Sequence, residues 1–487
     1  MHEPPLPVPR NLEQFPELHP PFARPAALVE ANRCLFCFDA PCTAACPTHI
    51  DVPRFIKKIA NENVRGAALT ILDANILGLS CARVCPVDVL CEGACVLDLY
   101  NQKPIEIGRL QRYAMDAFYT NLANLSTGTP PQPPSPGRAD PLVRAGPPGP
   151  ALPVAHQEKP VGGPAADRGS APQIACVGGG PASLACAAEL RRRGFPVTIF
   201  DNRPLPGGLN TYGVAEYKLR PSDSLREVDL VRSLGVEFRQ AEIGLDPSLA
   251  TLEKQYDRIF LGLGLGSMLQ LGIPGEQSSG VVDALTLIAR YKTSHDVPVG
   301  RRVVVIGGGN TAIDAANAAC RLGASEVHIF YRRGEKDMPA FASEYENSKI
   351  EGVRFHFLAQ PLEILHDDGR VSAVRFIGTR LAPPDASGRR PFEPLPGTDF
   401  VFPCDMVIPA LGQSRIVGLL EAIGVAVHNG SIAVDRPTGR TANPKYYAGG
   451  DCVNGGREVV DAVADGKRAA IAIAQSLIAQ NPEPQHG

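Results

Sequence analysis

The stretch QIACVGGGPASLACAAELRRRGFPVTIFD, residues 173–201, constrains this chain more than any other part of the sequence. It opens with a short apolar run that suits a buried parallel strand, and a glycine-rich turn and a helix of small residues follow. Gly178, Gly180 and Ser183 occupy the positions of a G-x-G-x-x-G/A phosphate loop. A second strand ends at Asp201, whose carboxylate can accept hydrogen bonds from a ribose. The stretch predicts a dinucleotide-binding βαβ unit, although a glycine-rich turn without a ligand shows the same pattern.

A second copy of this pattern follows further along the chain. An apolar strand is expected at 303–306, a helix continues to Leu322, and another strand spans 327–331. The loop residues are Gly307, Gly309, Asn310, Thr311 and Ala312. Because both copies have the strand–loop–helix context that the motif requires, together they indicate two nucleotide sites.

The second copy ends in Arg332 and Arg333 where the first ends in an acid. A guanidinium at this point suits the 2′-phosphate of NADPH, whereas a carboxylate would prefer the ribose of NADH. The pair therefore favours NADPH, and a solvated surface pair remains the alternative.

Three further glycine segments predict that the first unit binds FAD. They contain Gly207, Gly208 and Leu209, then Gly412, then Gly450 and Asp451. A glycine pair allows the backbone to approach a long flat cofactor, and Asp451 can bond a ribityl hydroxyl. A helix starting near Arg457 would point its positive end at the flavin. Since the last two segments follow the second unit, we expect the second nucleotide domain to be inserted within the first.

Eight of the thirteen cysteines lie near the N-terminus, in two groups that each contain Cys-Pro. The cysteines are Cys34, Cys37, Cys42, Cys46, Cys81, Cys85, Cys91 and Cys95. The spacing resembles a bacterial ferredoxin run, in which the cysteine before proline reaches the other cluster. Disulfides and two four-cysteine zinc sites are the alternatives. The Cys-Pro units and the redox pattern downstream favour two [4Fe–4S] clusters.

Three stretches, CLFCFDAPCTAACPTHI, LSCARVCPVDVLCEGAC and PIEIGRLQRYA, resemble the N-terminal domain of dihydropyrimidine dehydrogenases and, more loosely, the small subunit of glutamate synthase. The resemblance implies two crossed ligand sets. The first set, named here the outer set, is Cys34, Cys37, Cys42 and Cys95. The second, the inner set, is Cys46, Cys85, Cys91 and Gln111. Glutamate synthase small subunits tend to carry Glu in place of Gln111, so this residue favours the former family. It also leaves Cys81 as a buried thiol that is not a ligand.

The composition gives little information on function, but it predicts one linker. Lys and Arg number 48 against 51 Asp and Glu, so charge gives no argument for nucleic-acid binding. No apolar run approaches a membrane span and the N-terminus lacks a signal-peptide core, so we expect a cytoplasmic protein. Residues 126–172 contain 13 prolines and predict an extended, partly disordered linker.

These patterns predict an α/β protein with two Rossmann-like dinucleotide-binding domains, one inserted in the other, preceded by an α-helical ferredoxin-like domain. The expected boundaries are 1–125 for the iron–sulfur domain, 126–172 for the linker, 173–290 and 410–487 for the FAD domain, and 291–409 for the NAD(P)H domain. The FAD and NAD(P)H portion resembles flavoproteins with two dinucleotide domains.

The resemblance extends to the stretch GGLNTYGVAEYKLRPS and identifies the chain with the NAD(P)H-oxidising subunit of bacterial two-subunit dihydropyrimidine dehydrogenases. It implies that electrons pass from NAD(P)H through FAD and the clusters to a partner subunit. That partner would carry FMN and further iron–sulfur clusters and reduce uracil or thymine to the 5,6-dihydropyrimidine. The alternative is a glutamate synthase small subunit or a paralogue that feeds another acceptor. A zinc-stabilised nucleotide-binding scaffold is a third class. We name no catalytic acid or base, because hydride transfer depends on alignment.

Overall fold

The computed structural model describes residues 16–126, 172–294, 297–384, 390–416, 420 and 423–480. The predicted linker falls almost wholly on residues 127–171, outside the described residues. Within the described ranges, no single helix combines the length and apolar character needed to cross a membrane. Two helices reach that hydropathy only when joined, and they meet at an angle of 91°.

The N-terminal part of the described chain is helical. Its helices are α1 (Arg24–Asn32), α2 (Pro41–Ala44), α3 (Val52–Ala60), α4 (Val64–Ala74), α5 (Gly78–Val84), α6 (Val96–Leu99) and α7 (Ile107–Ser126). Asp51 caps the start of α3, because its carboxylate accepts a hydrogen bond from the Arg54 amide at 3.1 Å. The cysteines lie in α2, α5 and the turns between the helices.

The first α/β unit contains a five-stranded parallel sheet. Its strands are β1 (Ile174–Val177), β2 (Val197–Asp201), β3 (Glu237–Gln240), β4 (Arg258–Leu261) and β15 (Tyr446–Ala448), in the order β15-β4-β1-β2-β3. Its helices are α8 (Pro181–Arg192), α9 (Leu209–Tyr212), α10 (Pro221–Ser233), α11 (Leu249–Gln255), α15 (Asp451–Asn454) and α16 (Val459–Gln480). The chain therefore leaves this sheet after β4 and returns to it with β15.

The second α/β unit lies between β4 and β15 in the sequence. Its parallel strands are β5 (Arg302–Ile306), β6 (Glu326–Tyr331), β7 (Arg354–Phe357) and β12 (Met406–Pro409), in the order β12-β5-β6-β7. Its helices are α12 (Ala284–Ser294), α13 (Asn310–Arg321), α14 (Ala342–Ile350) and a 3-10 turn at Glu335–Asp337. The boundary expected at 290/291 falls inside α12, because Ala284 and Leu287 of that helix pack into the core of the second sheet.

An antiparallel meander connects β7 to β12. Its strands are β8 (Ala359–Asp367), β9 (Arg370–Leu381), β10 (Phe392–Pro394) and β11 (Phe400–Pro403). A small hairpin, β13 (Val427–His428) and β14 (Ser431–Ile432), precedes β15. The meander covers the end of β6, the strand that leads into the arginine pair.

The helical domain and the first unit share one apolar core. Buried side chains of α3, α4, α5 and α7 are continuous with those of α8, α10 and α16. Polar contacts cross the same junction: Arg192 Nη2 donates to Leu72 O at 3.1 Å, and Lys467 Nζ donates to Asp73 O at 3.0 Å. The cysteine-bearing helices are therefore packed directly against the first nucleotide unit.

Candidate functional site

The first phosphate loop has the backbone geometry that its glycines predict. Gly178 has φ +93°, and a Cβ there would lie 2.3 Å from Gly262 O. Gly208 has φ +57°, and a Cβ there would lie 2.8 Å from the Cα of Gly180. Only glycine allows three backbone segments to approach one another this closely. Their contact forms one wall of a cavity.

That cavity, of about 1180 Å³, lies between the two nucleotide-binding units. Residues of both phosphate loops and of the carboxyl-terminal segment line it together. The predicted site residues among them are Gly178, Gly180, Asp201, Gly208, Leu209, Asn310, Thr311, Gly450 and Asp451. The structure thus brings residues from distant parts of the chain around one space, of a size that suits two extended ligands.

Other predicted site residues do not line this cavity. They are Ser183, Gly207, Gly307, Gly309, Ala312, Arg332, Arg333 and Gly412. Ser183 is fully buried, and a Cβ on Gly262 would lie 2.2 Å from its hydroxyl oxygen. This third motif position therefore serves the close packing of α8 against the crossing strand segment. Gly307 and Gly309 shape the second loop, of which Asn310 and Thr311 are the part that faces the cavity.

Two acidic residues of the site are held by backbone amides. Asp201 accepts from the amides of Gly179 at 2.5 Å and Arg203 at 2.8 Å. Asp451 accepts from the Arg457 amide at 3.2 Å, and burial raises the pKa of its carboxyl. These hydrogen bonds orient both side chains.

The cavity floor contains a charged cluster that the sequence analysis did not identify. Lys218 Nζ lies 2.6 Å from Asp314 Oδ1 and also pairs with Glu344 Oε2. All three side chains line the cavity, yet each is at most 19% exposed. Lys218 belongs to the first unit, whereas the two carboxylates lie on α13 and α14 of the second. The sequence pointed to this cluster only through Lys218, which lies in the stretch GGLNTYGVAEYKLRPS that carries part of the family resemblance.

Glu458, just before α16, also lines the cavity. Burial and, after it, the charges of Asp461 and Glu344 raise the pKa of Glu458 to about 7. The N-terminus of α16 is beside it, with Val459 and Ala462 on the wall. The expected helix end therefore faces the space in which a flavin would lie.

The arginine pair lies away from the cavity, at the end of β6. Arg332 is exposed and Arg333 is buried, with 9% exposure. Arg333 Nε donates to Arg390 O at 3.0 Å, so its guanidinium points into the meander. The two arginines, predicted together, thus have different environments.

The outer set of cysteines surrounds a second cavity. Cys34, Cys37, Cys42 and Cys95 line it together with apolar side chains such as Ile56. Burial raises the pKa of the Cys42 thiol to about 11, and the charges of Cys34 and Cys95 contribute to the shift. Four thiols around one apolar cavity fit the ligand set of an iron–sulfur cluster.

The inner set of cysteines lies deeper. A hydrogen bond with Cys81, followed by burial and the charges of Cys91 and Cys46, raises the pKa of Cys85. Burial also raises the pKa of Cys91, and Cys46 contributes to that shift. The thiols of Cys46, Cys81, Cys85 and Cys91 are therefore neighbours. Cys81, which we expected to be a buried thiol that is not a ligand, thus lies beside the three cysteines of the inner set.

Gln111 of α7 is buried beside α5. Its Nε2 donates to Gly78 O at 2.8 Å, at the start of the helix that carries Cys81. The Cys81 thiol accepts from Asn75 Nδ2 at 3.2 Å. The assignment of Gln111 as the fourth inner ligand stays a prediction, because Cys81 is also close to Cys85.

The cysteine domain reaches the main cavity through one of its described residues. Val84, the last residue of α5, lines the cavity between the nucleotide units. Its neighbour in sequence is Cys85 of the inner set. The inner set is therefore the one next to the nucleotide cavity, whereas the outer set surrounds a separate cavity against α3.

Comparison with known families follows the same division. Residues 11–122 match the family described as dihydropyrimidine dehydrogenase domain II, 4Fe-4S cluster. Residues 172–466 match the family described as pyridine nucleotide-disulphide oxidoreductase. Mycobacterium tuberculosis FprA, solved in complex with NADPH, shares the fold with a TM-score of 0.54 and 20% identity, over 64% of this chain and 86% of that one.

Several relatives match this chain along both parts. The glutamate synthase [NADPH] small chain of Escherichia coli is 34% identical, over 94% of this chain and 93% of the relative. AegA, an E. coli protein described as an oxidoreductase, is 37% identical over 94% of this chain. The NADP(+)-dependent formate dehydrogenase subunit beta of Moorella thermoacetica is 34% identical over 90% of this chain. The chain spans only 66% and 60% of the lengths of the last two.

Proposed function

The chain belongs to the pyridine nucleotide-disulphide oxidoreductase family, and we propose that it is the electron-input subunit of a glutamate synthase-type enzyme or of a paralogue with another acceptor. Its two matched domains make it an NAD(P)H-dependent FAD and iron–sulfur electron-transfer protein. The proposal adds two [4Fe–4S] clusters, the nested arrangement of the nucleotide domains, and a partner that receives the electrons.

The observation that carries the proposal is the shared cavity. Gly178 and Gly180 from the first unit, Asn310 and Thr311 from the second, and Val84 from the cysteine domain all line it. A nicotinamide and a flavin can meet in such a space, and the flavin is then close to the inner set. Electrons would then pass from the nicotinamide to the flavin and from the flavin to the clusters.

The residues of the chain bind and align the two nucleotides. Backbone amides of Gly178 and Gly180, at the N-terminus of α8, suit the pyrophosphate of FAD, and Asp201 suits its ribose. Asp451 suits a ribityl hydroxyl, and the N-terminus of α16 presents positive potential to the cavity. FAD, when bound, supplies the conversion of a hydride's electron pair into single electrons.

The path beyond the flavin runs through the cysteines. The inner set is buried next to the cavity, and the outer set lies nearer the surface, where Leu35 is 56% exposed and Phe38 fully exposed. We propose that electrons leave through the outer set. An acceptor would therefore approach this side of the helical domain.

The identity of the acceptor separates two candidates. The resemblance favoured a dihydropyrimidine dehydrogenase partner, and only the description of the N-terminal domain supports it. The relatives that match both parts of the chain include a glutamate synthase small chain and a formate dehydrogenase subunit, so they favour the alternative. Reduction of uracil or thymine, which would place the enzyme among those that act on CH–CH bonds, has no support from these relatives.

NADPH is the proposed donor. Arg332 is exposed at the end of β6, where a 2′-phosphate would lie. The glutamate synthase relative is named for NADPH and the formate dehydrogenase relative for NADP(+). Comparison of kcat/KM for NADPH and NADH tests this choice.

Reconstitution tests the function. The purified chain alone should oxidise NADPH with ferricyanide, because the nucleotide cavity is complete within it. With a glutamate synthase large subunit it should support glutamate formation from 2-oxoglutarate and glutamine. Uracil reduction restored by an FMN-containing partner would instead favour dihydropyrimidine dehydrogenase. Uracil reduction by this chain alone, or failure to oxidise NADPH and NADH with any dye, would contradict the proposed role.

A further inference from the structure

Helix α10 of the first unit carries two buried carboxylates on the face that meets α5. Asp223 and Glu227 are four residues apart, so they lie on the same side of the helix. They are 5% and 1% exposed. Because carboxylates are buried at this level only when they have partners, their contacts show what α10 holds in place.

Glu227 holds the N-terminal half of α5. Its Oε1 accepts hydrogen bonds from the Leu79 amide at 2.8 Å and from the Ser80 amide at 3.0 Å, and its Oε2 accepts one from the Ser80 hydroxyl. The Gly78 carbonyl beside them accepts from Gln111 Nε2 at 2.8 Å. The carboxylate of Glu227 therefore fixes the end of α5 that contacts the predicted glutamine ligand of the inner set.

Asp223 holds the other end of α5. Its Oδ2 lies 3.2 Å from Arg83 Nε, and Asp116 Oδ1 of α7 lies 2.6 Å from Arg83 Nη2. Burial would lower the pKa of Arg83, but the two carboxylates raise it, so the guanidinium stays charged. Arg83 is followed in sequence by Val84, which lines the nucleotide cavity, and by Cys85 of the inner set.

The same helix contacts the glycine turn that is predicted to approach FAD. Ser224 of α10 shares a hydrogen bond of 2.9 Å with the Thr211 hydroxyl of α9. A Cβ on Gly207 would lie 2.1 Å from that Thr211 oxygen. Gly208 and Leu209, which follow, line the cavity. Helix α10 thus connects this turn to both ends of the helix that leads to the inner set.

We propose that Glu227 and Asp223 are positioning residues that hold the inner set beside the nucleotide cavity, and that the charge of Glu227 lowers the reduction potential of a cluster bound there. This inference rests on the proposed transfer of electrons from the cavity to the inner set. A buried negative charge opposes the addition of an electron nearby, and the potentials of iron–sulfur clusters follow the net charge around them.

A redox titration followed by EPR, on the protein loaded with FAD and clusters, tests the role of the charge. Burial raises the pKa of Glu227 to about 7, so its carboxylate is ionised at about pH 9, where the titration is made. Glu227→Gln keeps an oxygen for the two amides and removes the charge, so the inner cluster should shift to a more positive potential. The signal that Cys91→Ala removes identifies this cluster, and the outer cluster should shift less.

The matched control is Asp229→Asn on the exposed face of the same helix. The side chain of Asp229 is 69% exposed and pairs with Arg232 at 3.3 Å. Since water and salt screen an exposed charge, its loss should move neither potential.

Rapid mixing with NADPH tests the positioning. Glu227→Ala leaves two buried amides without their acceptor, so the cluster signals should appear more slowly relative to the bleaching of the flavin band. Glu227→Gln restores an acceptor and should recover the wild-type ratio of the two rates. A general loss of stability would slow both steps and leave this ratio unchanged.

Several results would overturn the inference. If Glu227→Gln and Asp229→Asn give the same potential for the inner cluster, the charge of Glu227 does not set it. If Glu227→Ala keeps the wild-type ratio of rates, or if Glu227→Gln loses the inner irons, Glu227 does not act by positioning a formed cluster. If the wild-type clusters stay oxidised after the flavin is reduced, the proposed electron path fails and the inference with it. Wild-type cluster reduction with unaltered variants refutes the inference alone.

Discussion

Replacement of Lys218 by methionine should weaken the contact between the two nucleotide-binding units and lower the stability of the folded protein. The ammonium is 9% exposed and pairs with Asp314 at 2.6 Å and with Glu344. Burial alone would lower the pKa of Lys218, but these two carboxylates raise it above its usual value. The part of its stabilising effect that depends on the charge of the lysine itself should therefore be complete below about pH 10.5 and be lost only at higher pH.

The magnitude follows from what the substitution leaves behind. Two nearly buried carboxylates would lose their shared cation, and removal of one partner from a buried ion pair costs about 3–5 kcal/mol. For a unit of this size that corresponds to a fall in Tm on the order of 10 °C. The loss should shrink as the pH falls, because burial already raises the pKa of Glu344 and loss of the cation should raise it further.

Calorimetric unfolding of the FAD-loaded protein at several pH values measures this effect. Lys349→Met is the matched control, since that lysine pairs with Glu346 on the exposed face of α14 and should change stability by less than about 1 kcal/mol. Addition of Asp314→Asn and Glu344→Gln to Lys218→Met should restore most of the loss. If Lys218→Met is no worse than Lys349→Met at every pH, the cluster does not hold the units together.

Further predictions concern the clusters, the phosphate loop and a buried lysine. Anaerobically purified protein should contain about eight irons, and Cys42→Ala and Cys91→Ala should each remove about four by iron analysis, whereas Cys81→Ala should leave both clusters intact. Gly178→Ala should abolish FAD retention, seen as loss of the flavin absorption band, because its Cβ would lie 2.3 Å from a carbonyl oxygen. Burial lowers the pKa of Lys292 to about 7. Since the unfolded chain then binds more protons, wild-type stability should rise relative to Lys292→Met between about pH 7 and pH 10.5, in thermal unfolding at each pH.

The sequence predicted the elements of local origin well. Each phosphate loop depends on a few residues within one βαβ unit, and a glycine with positive φ such as Gly178 leaves a clear signal. The return of the chain to the first sheet could also be predicted, because Gly450 and Asp451 repeat a flavoprotein pattern after the second unit.

Features that depend on contacts between distant segments could not be predicted. Lys218 meets Asp314 only because two units pack together, and no spacing in the sequence indicates this. The different environments of Arg332 and Arg333 arise from contacts with Phe392 and Arg390, which lie about sixty residues further on. Ser183 fits the motif, yet its burial beneath Gly262 shows that this position packs the helix rather than lines the cavity.

We propose that electrons pass from the flavin in the nucleotide cavity to the cysteine domain beside Val84. Rapid anaerobic mixing of the purified, FAD- and cluster-loaded protein with NADPH tests it, with flavin absorbance and the EPR signal of frozen samples recorded over the same time course. The flavin band should bleach first, and the cluster signals should follow within the same turnover. Cluster signals that stay silent while the flavin band is fully bleached, in the presence of a protein acceptor that becomes reduced, would contradict it.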